Sequence, residues 1–108
     1  MRYLRACSVG ELQEDTPMRV VLEGIPVSVV HTEGEFYAVH DICSHANVSL
    51  SGGDVANRAI GCWLHTSSFD LRTGRPTSPP ATKPIAVYPV KVHGDDVFVC
   101  ITSGEREL

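Results

Sequence analysis

The chain has 108 residues, of which 43% are hydrophobic and 20% are charged, a composition typical of globular proteins. This length is enough for one domain with a hydrophobic core and leaves no room for a second catalytic module. The net charge of −4 argues against nucleic acid as a partner, because a phosphate-binding surface needs an excess of Lys and Arg.

The sequence shows neither a signal peptide nor an apolar stretch long enough to span a membrane. We therefore expect a cytoplasmic protein with no membrane partner. In that reducing compartment, the four cysteines of the chain indicate metal binding or chemistry more often than disulfides.

The first half of the chain is predicted to form an antiparallel β-meander. Its strands are short runs of β-branched and aromatic residues bounded by turn residues. The four runs are residues 2–6, Met18–Leu22, Ile25–His31 and Phe36–Val39. Gly-bearing turns join the last three runs, and the last of them ends shortly before Cys43.

The second half is predicted to contain further short strands around loop-like segments. These strands are Arg58–Gly61, Phe69–Leu71, Ile85–Val92 and Val97–Ile101. Residues 74–84 contain four of the seven prolines, so this segment is expected to be a stiff loop outside any central strand. No segment shows sustained helical periodicity. The sequence therefore predicts an all-β fold, an antiparallel sandwich or barrel-like base from which loops project.

Two short Cys–His pairs are the strongest chemical signal in the chain. They are Cys43-Ser44-His45 and Cys62-Trp63-Leu64-His65, which supply two thiolates and two imidazoles. Such a donor set suits a tetrahedral zinc ion or a [2Fe–2S] cluster in which two His replace two Cys on one iron. Structural zinc sites commonly have two-residue gaps in both pairs, whereas a mixed-ligand cluster needs one Cys and one His from each loop. The spacing therefore favours the cluster and leaves zinc as the alternative.

Around these pairs the sequence resembles Rieske-type ferredoxins, most closely those that serve bacterial aromatic-ring-hydroxylating dioxygenases. The resemblance covers most of the chain from about Val20 to Val99. The matching segments beside the pairs are Phe36–Val39, Leu50–Gly53, Phe69–Gly74 and Lys83–Val92. The resemblance implies a Rieske-type antiparallel β-sandwich base in one domain of residues 1–108. A small cluster-binding subdomain, roughly residues 41–84, would carry the two ligand loops and a proline loop.

By the same resemblance, Cys43 and Cys62 would hold a buried iron as thiolates. His45 and His65 would hold the outer iron, with their imidazole edges near the surface as the exit for the electron. Docking of a partner would then use a small apolar patch from residues 44–48, residues 63–67 and the proline loop.

Further residues in the loops are expected to pack around the cluster or tune it. Val48 and Leu64 stand where high-potential members carry two disulfide-linked cysteines, so packing must replace that bridge. Ser67 stands where those members place a hydroxyl that bonds to a bridging sulfide, and Ser67→Gly is expected to lower the reduction potential. Trp63 is expected to pack under the cluster or to contact a partner. Pro80 belongs to the proline loop, which is expected to cover one side of the cluster.

The function implied by the resemblance is one-electron transfer without bond chemistry. The carrier, expected to be a monomer, would take electrons from an NAD(P)H-dependent flavin reductase and pass them to the Rieske centre of a terminal oxygenase. The alternatives are an electron-transfer subunit of a nitrite reductase or monooxygenase, and a zinc-stabilised binding module.

Other residues of chemical interest are predicted to have ordinary roles. Cys7 and Cys100 are expected to be small buried residues, and His31, His40 and His93 are expected at the surface or in satisfied positions. Solvation in turns, or steering of a basic partner, is the expected role of the acidic residues Glu33, Glu35, Asp54, Asp95 and Asp96.

Overall fold

The computed structural model describes residues 3–42, 49–61, 68–77 and 84–101. Within these residues the regular structure consists of strands and two short 3₁₀ helices, Val9–Glu11 and Leu50–Gly52. The strands are β1 (Leu4–Ser8), β2 (Met18–Leu22), β3 (Ile25–Thr32), β4 (Glu35–His40), β5 (Val55–Ala56), β6 (Ala59–Gly61), β7 (Ser68–Asp70), β8 (Val87–Tyr88), β9 (Val90–His93) and β10 (Asp96–Val99). The all-β prediction is confirmed. In this part of the chain no helix is long and apolar enough to cross a membrane.

The strands form three antiparallel sheets. A four-stranded sheet has the order β2-β3-β4-β8, and a three-stranded sheet has the order β1-β10-β9. A second three-stranded sheet, β5-β6-β7, contains the described residues that border the second Cys–His pair.

The four-stranded sheet is covered on both faces. Neighbouring residues of a strand point to opposite faces, and Val29 and Val30 of β3 accordingly belong to two different apolar clusters. Val29 packs with the β1-β10-β9 sheet, and Val30 packs with residues of the β5-β6-β7 sheet. A strand covered on both faces reads as a continuous apolar run, which explains why Val27–Val30 contains three valines and is buried throughout.

Two-residue turns set the register of the predicted hairpins. Glu23-Gly24 and Glu33-Gly34 have positive φ at both residues, the conformation that matches the twist of paired strands. Asn57 and Arg58 also have positive φ, at 53° and 57°, and join β5 to β6 without a glycine. Strand β5 is not evident from the sequence for this reason, because glycine is the usual signal of such a turn.

The predicted strand Ile85–Val92 is wrong as a single element. It is two strands, β8 and β9, which meet at Pro89 and belong to different sheets. Proline has no N–H to donate to a ladder, and the Pro89 carbonyl instead accepts a hydrogen bond from the Cys100 N–H at 3.0 Å. The chain therefore crosses from the four-stranded sheet to the β1-β10-β9 sheet at this residue. The first strand also begins two residues later than predicted, at Leu4.

Candidate cluster-binding site

The four predicted ligands lie outside the described residues. The same holds for Val48, Trp63, Leu64, Ser67 and Pro80. The residues that border these segments are described, and they fix where each ligand loop starts and ends. The first ligand loop is residues 43–48 and the second is residues 62–67.

An isolated β-bridge after β4 joins the two ends of the first ligand loop. Ile42 and Ser49 form an antiparallel bridge, and the Leu50 N–H donates a hydrogen bond to the Asp41 carbonyl at 2.5 Å. The Leu50 side chain is fully buried in the apolar cluster that also contains Val30 and Val39. The residues on either side of the loop that carries Cys43 and His45 are therefore held next to each other.

The carboxylate of Asp41 holds this closure together. It is fully buried and accepts hydrogen bonds from the Ser49 hydroxyl, the Ser51 hydroxyl at 2.7 Å and the Ser51 N–H at 2.9 Å. A fourth bond comes from Arg19 Nε on β2, at 3.0 Å from Asp41 Oδ2. We call Asp41, Ser49, Ser51 and Arg19 the Asp41 network. It ties both ends of the first ligand loop to the four-stranded sheet.

The second ligand loop is the connection of the β6–β7 hairpin. Gly61 pairs with Ser68 in the last register position before the loop, and Ile60 pairs with Phe69 one position earlier. Both Ile60 and Phe69 are fully buried in the apolar cluster that includes Leu50. The loop with Cys62 and His65 thus stands on a hairpin whose inner residues are fixed by the same core as the first loop.

The two loop stems meet at a pair of glycines. A Cβ atom on Gly53 would overlap the carbonyl oxygen of Gly61, so the two backbones are in direct contact. The Gly61 N–H donates to the Asp54 carbonyl at 2.7 Å, and the Gly53 N–H donates to the Leu50 carbonyl at 3.0 Å. Because Gly61 immediately precedes Cys62, this contact places the residue before the second loop against the segment that follows the first loop.

The proline segment is anchored beside the second loop. Residues 78–83 lie outside the described part of the chain, but both of their borders are bound. The Thr77 N–H donates to the Ser68 carbonyl at 2.7 Å, and the two side-chain hydroxyls also hydrogen-bond. On the other side, the Ile85 N–H donates to the Gly74 carbonyl at 2.8 Å. These bonds place Thr77, which precedes residues 78–83, beside Ser68, the first residue after the second ligand loop. The position of the proline loop itself stays a prediction.

The remaining histidines are in satisfied or exposed positions, as predicted. His31 stacks on Phe36 with ring centroids 4.4 Å apart. His40 Nδ1 lies 3.2 Å from the Tyr88 hydroxyl, and His93 is exposed. Within the described ranges, no three His, Cys, Asp or Glu side chains are grouped so as to hold a metal ion.

The buried thiols and turn carboxylates also have ordinary surroundings. Cys7 and Cys100 are buried, as predicted, and burial raises the pKa of the Cys7 thiol, with a further rise from the charge of Glu11. Glu33 lies 3.6 Å from Arg58, and Asp96 lies 3.0 Å from Arg5. These two carboxylates already have basic partners within the chain.

A further acidic group orders the turn after β7. Partial burial on its own would raise the pKa of Asp70, but hydrogen bonds from the Arg72 backbone and guanidinium groups outweigh it and lower that pKa. The ion pair between Arg72 and Asp70 measures 3.4 Å. This turn leads to Gly74 and so to the start of the proline segment.

Comparison with known proteins identifies the family. Residues 2–89 match the Rieske [2Fe-2S] domain. The chain belongs to this family. The Rieske donor set of two Cys and two His is the one that the two loops of this chain supply, so the residues present fit a [2Fe–2S] cluster and the predicted cofactor is confirmed.

Relatives place this Rieske chain among ferredoxins. The biphenyl dioxygenase ferredoxin subunit of Pseudomonas sp. (strain KKS102) is 38% identical over 100 residues, which are 92% of each chain. The ferredoxin of carbazole 1,9a-dioxygenase from Nocardioides aromaticivorans IC177 has a TM-score of 0.87 at 33% identity, over 92% of this chain and 97% of that one. A structure of reduced oxygenase with oxidised ferredoxin in carbazole 1,9a-dioxygenase matches at 36% identity with a TM-score of 0.84, covering 90% and 91%. These relatives are electron-transfer components, which confirms the prediction of a carrier rather than an enzyme.

Nitrite reductase small subunits also match this Rieske chain. Their identities are 21% and 22%, with TM-scores of 0.81 and 0.82. At this level the likeness is evidence for a shared fold alone. It gives the nitrite reductase alternative no support beyond that fold.

The residues that hold the two loop stems in place were not predicted from the sequence. Asp41 gave no signal by itself, because an acidic residue after a strand is common in turns. The pattern that could have revealed it is Ser49-Leu50-Ser51 after the loop, since small hydroxyl side chains commonly bond to nearby polar groups. The contact of Gly53 with Gly61 depends on two segments meeting in space, and local sequence does not report that.

Proposed function

We propose that this chain is the one-electron carrier of an aromatic-ring dioxygenase system. It would take electrons from an NAD(P)H-dependent flavin reductase and deliver them to the Rieske centre of a terminal oxygenase. The observation that carries the proposal is the convergence of the two loop stems at Gly53 and Gly61. That contact supports the proposal because Gly61 directly precedes the loop with the second Cys–His pair, and Gly53 lies in the segment that follows the loop with the first pair.

Within this proposal, each loop contributes one thiolate and one imidazole. Cys43 and Cys62 would hold one iron, and His45 and His65 would hold the other. A bound cluster supplies a site that accepts and releases one electron. The chain fixes that site by anchoring both loops to one apolar core, which includes Leu50, Ile60 and Phe69.

The partner assignment is supported by what the relatives are. The carbazole dioxygenase structure contains a ferredoxin together with its oxygenase. By analogy, the surface of this chain around the two ligand loops and residues 78–83 docks against a terminal oxygenase. Electron-transfer interfaces are small and transient, so a monomeric carrier that binds each partner in turn suits this role.

Reconstitution with the components of a relative tests this function. The cluster-containing chain would replace the ferredoxin subunit in a biphenyl dioxygenase system that contains the reductase, the oxygenase, NADH and biphenyl. We expect product formation to depend on the added chain, and a Cys43→Ala variant to give none. Electron transfer to a nitrite reductase catalytic subunit, with none to the dioxygenase oxygenase, would overturn the proposal.

A further inference from the structure

A buried negative charge lies at the base of the first ligand loop. The Asp41 side chain has no exposed surface, and it accepts all four hydrogen bonds that its three partners in the Asp41 network donate. A set of donors alone is what an ionised carboxylate requires, since it can only accept. Burial of a charge is costly unless it is paired and hydrogen-bonded, and the Asp41 carboxylate has both an ion pair and hydrogen bonds to both oxygens. The network can therefore hold a buried negative charge at the base of the loop.

Covalent geometry places this charge close to the ligand set. Asp41 precedes Cys43 by two residues, and consecutive Cα atoms are about 3.8 Å apart, so the Asp41 and Cys43 Cα atoms are separated by at most about 7.6 Å. This limit applies to the Cα atoms, and the charges lie at the ends of the two side chains. Charges on side chains so near to each other along the chain interact appreciably when they are shielded from water. Salt screens buried charges much less than exposed ones.

Arg19 is the counter-charge of Asp41, but its surroundings differ. Its Nε atom is 3.0 Å from Asp41 Oδ2, and its side chain is 50% exposed, whereas that of Asp41 is 0% exposed. Solvent therefore weakens the field of the guanidinium more than that of the carboxylate. Seen from the first ligand loop, the pair acts as a partly compensated negative charge.

We propose that the Asp41–Arg19 pair sets the reduction potential of the cluster site. One-electron reduction adds one negative charge at the site, and the potential of an iron–sulfur centre depends on its net charge and surroundings. The Asp41 carboxylate opposes that added charge and lowers the potential, and Arg19 offsets part of this effect. The inference rests on the proposed function for the ligand assignment of Cys43 and His45.

The test compares the midpoint potentials of two charge variants with that of the parent protein. Asp41→Asn keeps the shape of the side chain and removes the negative charge, so we expect a higher potential. Arg19→Gln removes the counter-charge, so we expect a lower potential and a smaller shift. The potentials are measured by spectroelectrochemical titration of the isolated, cluster-loaded proteins. A role confined to holding the loop would move both variants in the same direction, because either change loosens the same closure.

Matched controls come from another arginine–aspartate pair whose members are far apart in sequence. Arg5 and Asp96 form a 3.0 Å ion pair on the β1-β10-β9 sheet, with exposures of 55% and 43%. Arg5→Gln and Asp96→Asn make the same charge changes away from the ligand loops. Both should leave the midpoint potential at the parent value.

The outcomes separate this inference from the proposed function. Opposite shifts in the two variants, with unchanged controls, support it. Unchanged potentials, shifts of equal sign, or shifts of equal size in the controls overturn it. If the Asp41→Asn variant does not bind a cluster, the Arg19→Gln variant alone tests the inference. A lower midpoint potential then supports it, and an unchanged or higher one overturns it. These measurements use the isolated protein, so failure of the dioxygenase reconstitution leaves their result intact, whereas a parent protein without a cluster would refute the ligand assignment itself.

Discussion

The backbones of Gly53 and Gly61 touch so closely that a Cβ atom on Gly53 would overlap the Gly61 carbonyl oxygen. Gly53 has φ −96° and ψ −171°, a conformation open to any residue. The contact, rather than backbone strain, is therefore what requires glycine at this position. Since Gly61 precedes Cys62, the pair fixes the residue before the second ligand loop against the segment that follows the first.

We predict that Gly53→Ala displaces the second ligand loop and impairs cluster binding. The added methyl group meets a backbone carbonyl, which cannot turn away as the tip of a side chain can. Overpacking of this kind typically costs about 1–3 kcal/mol, and the displacement falls directly on the residue before Cys62. Iron content and visible absorbance per chain should both fall well below those of the parent protein.

Gly10→Ala is the control for this prediction. Gly10 is exposed in the first 3₁₀ helix, and nothing lies within 4 Å of a Cβ atom placed on it. This variant should bind iron as the parent does. Equal iron content in the Gly53 and Gly10 variants would show that the glycine contact does not set the loop spacing.

Gly74→Ala is predicted to destabilise the anchor of the proline segment. Gly74 has φ +78°, and a Cβ atom there would overlap the Ile85 carbonyl oxygen and lie 2.9 Å from Val87 Cγ2. The free-energy costs of the left-handed conformation and of the clash add together, so the free energy of unfolding is expected to fall by about 2–5 kcal/mol. Urea unfolding followed by circular dichroism measures it.

Gly94→Ala isolates the conformational part of that loss. Gly94 has φ +63°, and nothing lies within 4 Å of an added Cβ atom. Only the left-handed strain remains, so about 1–2 kcal/mol should be lost. A Gly74 variant no less stable than the Gly94 variant would argue against the close approach of Gly74 to Ile85.

The strands and hairpins were largely predictable from local sequence. Runs such as Ile25–Thr32, bounded by Gly-bearing turns, specify both strand type and register. The errors arose where local pattern and tertiary structure diverge. Pro89 divides an apparently continuous apolar run between two sheets, and the Asn57-Arg58 turn adopts positive φ without glycine.

The metal-ligand residues of the candidate site could be predicted from the sequence, whereas the residues that hold the ligand loops in place could not. The spacing of the Cys–His pairs and the family resemblance pointed to the cluster, and the match to the Rieske [2Fe-2S] domain confirms that cofactor. The assignment of each ligand and of Ser67 stays a prediction. Asp41 and Arg19 are 22 residues apart in sequence, and their pairing follows from the course of β2, β3 and β4 rather than from any local motif.

Substitution should distinguish the cysteines that bind the cluster from Cys7 and Cys100, which do not. Cys62→Ser is predicted to abolish the visible absorbance of the protein, because it removes a thiolate from the cluster. Cys7→Ala and Cys100→Ala remove buried thiols from the β-sandwich core and should keep that absorbance at some cost in stability. Loss of absorbance in the Cys7 and Cys100 variants with retention in Cys62→Ser would reverse the assignment.

Cys7 is also predicted to make the fold less stable in alkaline solution. Burial raises the pKa of its thiol in the folded protein, whereas an unfolded thiol ionises near pH 8.5. Above about pH 8.5 the unfolded state therefore binds fewer protons than the folded state, and the free energy of unfolding falls as pH rises toward the folded-state pKa.

Urea titrations between about pH 7 and pH 10 measure this effect. The parent protein should lose stability across the range, and Cys7→Ala should lose less because it lacks the titrating group. Parallel pH profiles for the two proteins would contradict the assigned role of Cys7.

The most direct test of the account is an absorption spectrum of the freshly purified protein, with an electron paramagnetic resonance spectrum after dithionite reduction. We predict a brown protein whose reduced signal has a low average g value, as histidine ligation of one iron requires. Cys43, His45, Cys62 and His65 would then be confirmed as a set by loss of that signal in their variants. A colourless protein that contains one zinc ion per chain would contradict the electron-carrier function.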